Sequence, residues 1–156
     1  MEKKTFIEVE RKWLLKNTPN LTPDRTINII QFYTEGNIRY RREKSSDEKQ
    51  EFFYKIEKQP IGKGKSLETV EEISLKEFWT STQNCPYMIR KKRHVYKQDG
   101  FNIEIDAFHN IQLILMEIEV DSLKDEIKIP EEIKKYIIKE VTGDADFSNK
   151  HLSGFC

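Results

Sequence analysis

The sequence predicts a β-dominated α+β domain: an antiparallel sheet of about eight strands closed into a barrel, with two or three peripheral helices. Three observations carry that expectation. Apolar and charged residues alternate with period two in run after run, as in Ile103-Glu104-Ile105-Asp106 and Met116-Glu117-Ile118-Glu119. Turn signals such as Glu35-Gly36-Asn37 and Asp99-Gly100 separate many of these runs, so sequence neighbours should pair as hairpins. The charges on the polar faces are also sorted by sign from strand to strand, which an ordinary solvated sheet does not require.

The elements follow in order. Residues 5–15 read as the first strand, with Glu8, Glu10 and Lys12 on one face and Ile7, Val9 and Trp13 on the other, interrupted by Arg11. Residues 17–25, with Pro19 and Pro23, form a loop. Residues 27–33 and 38–42 make a hairpin that puts Arg39 and Arg41 on one face. After a polar turn at 45–50 comes a strand at 52–58, ended by Pro60 and a loop at 62–66. That loop contains Gly64-Lys65-Ser66, the end of a phosphate-binding G-x-x-x-x-G-K-[ST] pattern, but Gln59 stands where the first glycine must be. A hairpin connection is the better reading.

Residues 67–73 carry Glu68, Glu71 and Glu72 on a strand. Ser74-Leu75-Lys76-Glu77 is a capping box that opens a helix reaching about Asn84, with Phe78 and Trp79 packed on the barrel's outside and Pro86 as the stop. Strands follow at 88–97, with Lys91 and Arg93 on one face, at 101–108 and at 113–120. A short helix is expected after Ser122, and residues 130–141 read as a helix stopped by Gly143. No repeat, linker or low-complexity stretch divides the chain, so residues 1–156 are expected to form one domain.

Composition narrows the function. The 156 residues hold 27 basic and 27 acidic side chains and are 35% charged, well above a typical domain, with zero net charge. That balance argues against nucleic-acid or membrane partners, which call for an excess of base. Two cysteines, Cys85 and Cys156, give no disulfide framework, and Cys85 beside Pro86 has no visible catalytic partner. The N-terminal Met1-Glu2-Lys3-Lys4 lacks a signal-peptide core and no run reaches transmembrane length, so a cytoplasmic location is the default. His94, His109 and His151 have no ligand spacing for zinc.

The sorted charges point to a site. Acids dominate one group of strands (Glu8 and Glu10, Glu68 and Glu72, Glu104 and Asp106, Glu117 and Glu119), and bases another (Arg39 and Arg41, Lys91 and Arg93, with Lys55 or Lys58 between). An acidic wall suits a hard divalent cation, and a basic wall suits phosphate oxygens. Closing the sheet would set both walls around one lumen and remove the strand edges.

Glu8-x-Glu10-x-Lys12 matches the ExExK signature of the CYTH, or triphosphate tunnel metalloenzyme, superfamily. The resemblance runs through nearly the whole chain in order: Arg39-x-Arg41, Lys91-x-Arg93, Glu104-x-Asp106, Leu115-Met116-Glu117-Ile118-Glu119, then Val141-Thr142-Gly143-Asp144 and Asn149-Lys150. It implies an eight-stranded tunnel barrel that binds a small triphosphate compound with Mg²⁺ or Mn²⁺. The layout is most similar to small bacterial inorganic triphosphatases, with class IV adenylyl cyclases and thiamine triphosphatases as relatives. Hydrolysis of inorganic triphosphate ranks first; cyclic AMP formation from ATP, or phosphate binding without turnover, is the alternative.

Carried over by position, Glu8, Glu10, Glu68, Asp106, Glu117 and Glu119 would hold metal, and Glu8, Glu10, Lys12 and Glu119 would act in catalysis. Lys12, Arg39, Arg41, Lys91, Arg93 and Lys150 would bind phosphate, with Lys58 or the opposite-facing Lys55. A homodimer is compatible with this reading. Three positions depart from the family pattern. Val70 interrupts the acids of its strand, Asp146-Phe147 replaces a common Arg-Tyr pair, and Phe32 precedes the second-strand tyrosine in place of a small residue.

Overall fold

The computed structural model describes residues 2–155; Met1 of the N-terminal segment and Cys156, the second cysteine, lie outside the described residues. The strands are β1 (Lys3–Leu15), β2 (Arg25–Tyr33), β3 (Ile38–Ser45), β4 (Phe52–Gly62), β5 (Lys65–Glu72), β6 (Met88–Gln98), β7 (Phe101–Phe108), β8 (Ile114–Glu119) and β9 (Ile137–Glu140). Three helices, α1 (Leu75–Thr82), α2 (Glu131–Lys134) and α3 (Asn149–Leu152), and a 3₁₀ turn at Ala145–Phe147 complete the described elements.

The first eight strands close a barrel in the order β5-β4-β3-β2-β6-β7-β8-β1, with β1 pairing back onto β5. β1 is the closing element, and its length makes closure feasible. Its first half pairs with β5 from Lys3↔Glu71 to Val9↔Lys65. Its second half pairs with β8 from Glu10↔Glu119 to Leu15↔Ile114. Residues 13–15 also pair with β9, so β9 takes over the edge of β1 that β5 leaves free.

The main apolar faces point outward, except on β2, where Ile27 and Ile29 share the inward face of Gln31 and Tyr33 and pack with Val95 of β6. Trp13, Leu15, Tyr96, Ile103, Ile105, Met116 and Ile118 form the main core with Ile133 of α2, beneath the segment carrying Ile127, Ile129 and Ile137. Arg11 interrupts the apolar pattern of β1 for a local reason. It forms a two-pronged pair with Glu140 of β9 at 3.0 and 2.6 Å and lies 4.9 Å from the Trp13 ring centre. A second cluster, Phe53, Ile73 and Phe78 with Phe32 and Tyr40 against it, seats α1 on the barrel's outer face. The Ser74 hydroxyl caps that helix by accepting from the Glu77 amide at 3.1 Å.

Three local expectations are corrected. Residues 130–141 are not one helix: α2 spans a single turn, and Ile137–Glu140 is a strand. The β-branched pair Ile137-Ile138 meets an unpaired backbone edge, and bonding to β1 satisfies it better than helix would. After Ser122 there is a turn rather than a helix, because the Asp125 carboxylate accepts the amides of Asp121 and Ser122 at 3.2 and 3.0 Å. β4 runs through Pro60 to Gly62, with a register shift that accommodates the missing amide.

The glycine of the Gly64-Lys65-Ser66 motif also has a local explanation. Gly64 is left-handed (φ +65) and a β-carbon there would sit 2.7 Å from the Glu10 carbonyl oxygen. The Glu10 amide donates to the Gly64 carbonyl at 2.8 Å, so this hairpin tip is fastened against β1. Among the described residues, no helix is long and apolar enough to cross a membrane.

Phe78 is 1% exposed and is the main contact of α1 with the barrel. Phe78→Ala is expected to destabilise the protein by about 3–5 kcal/mol and to lower Tm by roughly 10 °C in a thermal melt. A shift under roughly 2 °C would contradict the packing of α1 described above.

Candidate active site in the barrel lumen

Because the strands alternate, closure turns the polar faces inward. A cavity of about 270 Å³ in the lumen is lined by acids from β1, β5, β7 and β8 (Glu8, Glu10, Glu68, Glu104, Glu117, Glu119) and by bases from β3, β4 and β6 (Arg39, Arg41, Lys58, Arg93), with Glu43 of β3 the one acid on the basic side. Through Glu8, Glu10, Arg39, Lys58 and Asn149 it shares walls with a second cavity of about 320 Å³ beneath the C-terminal segment. Through Phe6, Glu8, Glu104 and Glu119 it shares walls with the largest, a mouth of about 680 Å³. The charge changes along this axis. The mouth adds Asp121, Asp125 and Glu126 and has no basic lining residue, whereas the C-terminal end gathers Lys12, Arg39, Lys58, Lys65 and Lys150.

The cations are of two kinds. Lys91 and Asp106 are buried completely at their side chains, with Lys91 Nζ donating to Asp106 Oδ2 at 2.7 Å. Arg93 donates to both oxygens of Asp106, at 2.8 and 2.9 Å, and lies 3.3 Å from Glu104. Burial works to raise the Asp106 carboxyl, but Arg93 and Lys91 outweigh it and hold the group below its ordinary range. Burial pulls the Lys91 ammonium down to about 8 despite that carboxylate. These charges largely compensate one another inside the wall.

Arg39 and Arg41 are held differently. Arg41 Nε donates to the Gln31 amide oxygen at 2.5 Å, and its nearest carboxylate, Glu43, is 3.9 Å away. The Arg39 guanidinium lies 4.9 Å from the Tyr33 ring centre, and its buried Nε has no hydrogen-bond partner. Their positive charge is therefore largely available to the lumen.

The acids crowd. Glu8 receives Lys58 at 3.2 Å, and its carboxylate also meets those of Glu68 and Glu119. Glu10 meets Glu117 in the same way. Burial first, then contact with Glu8, pushes Glu68 up to about 7. Glu119 is pushed to about 7 by burial, the Glu8 charge and contact with Glu8. Burial and Glu117 raise Glu10 well above its ordinary range, and burial raises Glu104. Glu8 and Glu117 go down: burial opposes this, but Lys58 wins at Glu8, and Lys12, Lys91 and Arg93 win at Glu117.

The acidic set fits a divalent cation in donor chemistry. Its ligands are all hard oxygens, and Glu68 Oε2 and Glu117 Oε1 are buried without a hydrogen bond, although Lys58 and Arg93 stand 3.8 and 3.6 Å away. Among the described residues, no three acidic, histidine or cysteine side chains are yet gathered to grip an ion.

Placement follows strand parity for most expected residues. Lys58 lines the lumen, whereas Lys55 does not border its cavities. Lys91 is sealed within the wall, and Asp106 has both oxygens engaged by cations, so neither borders the open space. Lys12 donates to the Phe147 carbonyl at 3.2 Å, which ties the departing Asp146-Phe147 segment to β1 through backbone rather than side chain. Val70, as its register predicts, leaves an uncharged gap beside Ile56.

Sequence reading gave no site role to Gln31, Tyr33, Asn149 or Asn37. Asn149 accepts from Lys91 Nζ at 3.4 Å, and Asn37 accepts from Lys150 Nζ at 3.3 Å. The period-two parity of Gln31 and Tyr33 inside an apolar run was the available signal.

The raised acids have a measurable consequence. Glu68 and Glu119 bind a proton more tightly in the fold, at about 7, than at their ordinary value of 4.5, so their support is full below that value and is lost as pH rises through 7. Glu10 and Glu104 act with the same sign; His94 and Lys91, both lowered mainly by burial, act oppositely but are two groups against four, Lys91 only near the top of the window. Without added metal, Tm is expected to fall between pH 5.5 and 8, and Glu119→Gln should flatten the fall. A melting temperature that rises over that window would contradict the crowding of acids.

No protein-family model and no curated protein matches the chain. Solved structures do. It is similar to the inorganic triphosphatase NE1496, with 23% identity over 94% of this chain and 93% of that one and a TM-score of 0.58. PH1819 from Pyrococcus horikoshii OT3 is 18% identical over 85% and 92%, with a TM-score of 0.57. Protein Pfu-838710-001 from Pyrococcus furiosus is 25% identical over 83% and 85%, with a TM-score of 0.51. At such identities the likeness is one of architecture, and that architecture agrees with the closed strand order: the chain has the closed antiparallel barrel fold of these structures.

Proposed function

We propose that this protein hydrolyses a triphosphate, with inorganic triphosphate as the first candidate, to pyrophosphate and phosphate, using Mg²⁺ or Mn²⁺. One observation carries the reading. Inside a closed lumen, two arginines without close carboxylate partners face a surplus of crowded carboxylates. Neither wall is complete alone; a metal-complexed polyphosphate anion supplies what each lacks. The fold shared with an inorganic triphosphatase supports the same conclusion.

Glu8, Glu10, Glu68, Glu117 and Glu119 would hold the cation, which when bound supplies Lewis-acid neutralisation of phosphate charge. Arg39 and Arg41 bind the phosphate chain from the opposite wall, Lys58 bridges the two walls, and Lys12 and Lys150 receive the end lying under the C-terminal segment. Asp106 anchors Lys91 and Arg93 within the wall. Attack of water on the terminal phosphorus forms one P–O bond and breaks another. Pyrophosphate leaves, and the water's proton passes to a lumen carboxylate oxygen, of which Glu119, the exposed member, is the candidate. The electron-poor transition state spreads its charge over oxygens that the arginines already face.

A phosphate-release panel over inorganic triphosphate, ATP and thiamine triphosphate tests this. Inorganic triphosphate with Mg²⁺ or Mn²⁺ is expected to yield orthophosphate, chelation should abolish release, and Glu10→Ala or Arg41→Ala should lower kcat/KM by about a hundredfold or more. No release with any metal up to alkaline pH sinks the hydrolase reading. Cyclic AMP accumulating from ATP would make the protein a cyclase. Stabilisation by triphosphate without turnover would make it a binding module.

A further inference from the structure

Gln31 and Tyr33 occupy successive inward positions of β2, directly across from Arg41 and Arg39 of β3 in register. They are 0% and 2% exposed, an unusual depth for a glutamine beside two arginines. The hydrogen bonds fix their roles. Arg41 Nε can only donate, so the Gln31 oxygen must be its acceptor, and the Gln31 amide nitrogen then donates to Tyr33 Oη at 2.8 Å. The Tyr33 oxygen is thereby used as an acceptor while its own proton has no acceptor among the described residues. That hydroxyl belongs to a residue lining the cavity with Lys12, Arg39 and Lys58. The Tyr33 ring meanwhile supports Arg39 from beneath.

The contrast with the other wall gives this arrangement its meaning. Arg93 and Lys91 are fixed by a carboxylate, which orders them and cancels their charge. Arg41 is fixed by an amide and Arg39 by a phenol ring, and with Glu43 at 3.9 Å from Arg41 as the nearest carboxylate their charge is compensated far less than that of Arg93. We propose that Gln31 and Tyr33 form a neutral bracket that positions Arg39 and Arg41 for the phosphate chain. In it Gln31 is a positioning residue, and Tyr33 adds a hydrogen bond from its hydroxyl to a phosphate oxygen. Burial keeps the phenol protonated, as a donor must be. The inference rests on the triphosphate reading of the lumen and adds the means by which the clamp is kept charged.

Gln31→Glu separates positioning from mere support. A carboxylate accepts from Arg41 at least as well as an amide, so thermal stability should hold or rise. The new charge would compensate Arg41 and draw the Tyr33 proton away from the cavity. With inorganic triphosphate and Mg²⁺, KM is expected to rise about tenfold with kcat within about twofold of the wild type. Tyr33→Phe, which keeps the ring under Arg39, should raise KM about fivefold and serves if the first variant does not fold. An unchanged KM in both, or a loss of Tm and kcat with KM unchanged, overturns the bracket. A wild type that neither turns over triphosphate nor is stabilised by it removes the underlying reading and the bracket together. A wild type that does both, with Gln31→Glu indistinguishable from it, removes the bracket alone.

Discussion

Everything in this structure depends on closing a sheet around charge. An inward face of carboxylates, lysines and arginines would be unremarkable on an open sheet, where water solvates it. Closure between β1 and β5 withdraws that solvent, and each inward charge must then find a partner, shift its protonation or wait for a ligand. The Lys91–Asp106–Arg93 network takes the first course. It lies between neighbouring strands β6 and β7 and satisfies three buried groups at once, and losing one partner from such a set typically costs about 3–5 kcal/mol. Glu68 and Glu119 take the second course. Arg39 and Arg41, held mainly by neutral groups, are the charges that the proposed ligand would partner.

Much of this was legible in the residues because parity survives folding. Once Glu8, Glu10 and Lys12 share a face, a regular strand carries all three to the same side, and a one-residue slip would have turned every one of them into the main core. The hairpin signals at Gly36-Asn37 and Asp99-Gly100 fixed which strands are neighbours, and sign sorting located the two walls. Lys58 and Lys55, alternatives on opposite faces of one strand, are separated by the cavity lining, which includes Lys58 alone.

What could not be read was compensation between strands. Lys91 and Arg39 look alike as bases on inward faces; only the register Arg93↔Asp106 and the partnership of Arg41 with Gln31 separate a cancelled charge from an available one. Asp106 looked like a ligand for the same reason. β9 was missed because its cause is remote: a vacant edge of β1, created by the place where β5 ends, outweighs the local helical pattern of residues 130–141. Gln31 was hidden inside an apolar run, where one polar residue seems a tolerated exception rather than the pivot of a buried hydrogen-bond chain.

The placement of the charges would also let a chain with zero net charge bind the proposed anion without an excess of base. The 27 acids and 27 bases cancel only in the sum. Along the lumen they are separated, with an acidic mouth at one end and lysines gathered under the C-terminal segment at the other. A polyanion is attracted toward the basic end by local field, while a divalent cation is attracted to the crowded carboxylates between. The crowding of Glu68 and Glu119 against Glu8 raises both carboxyls to about 7, the mark of repulsion within the acidic wall. A cation and a polyphosphate arriving together would relieve it fully, and that difference in free energy is available for binding.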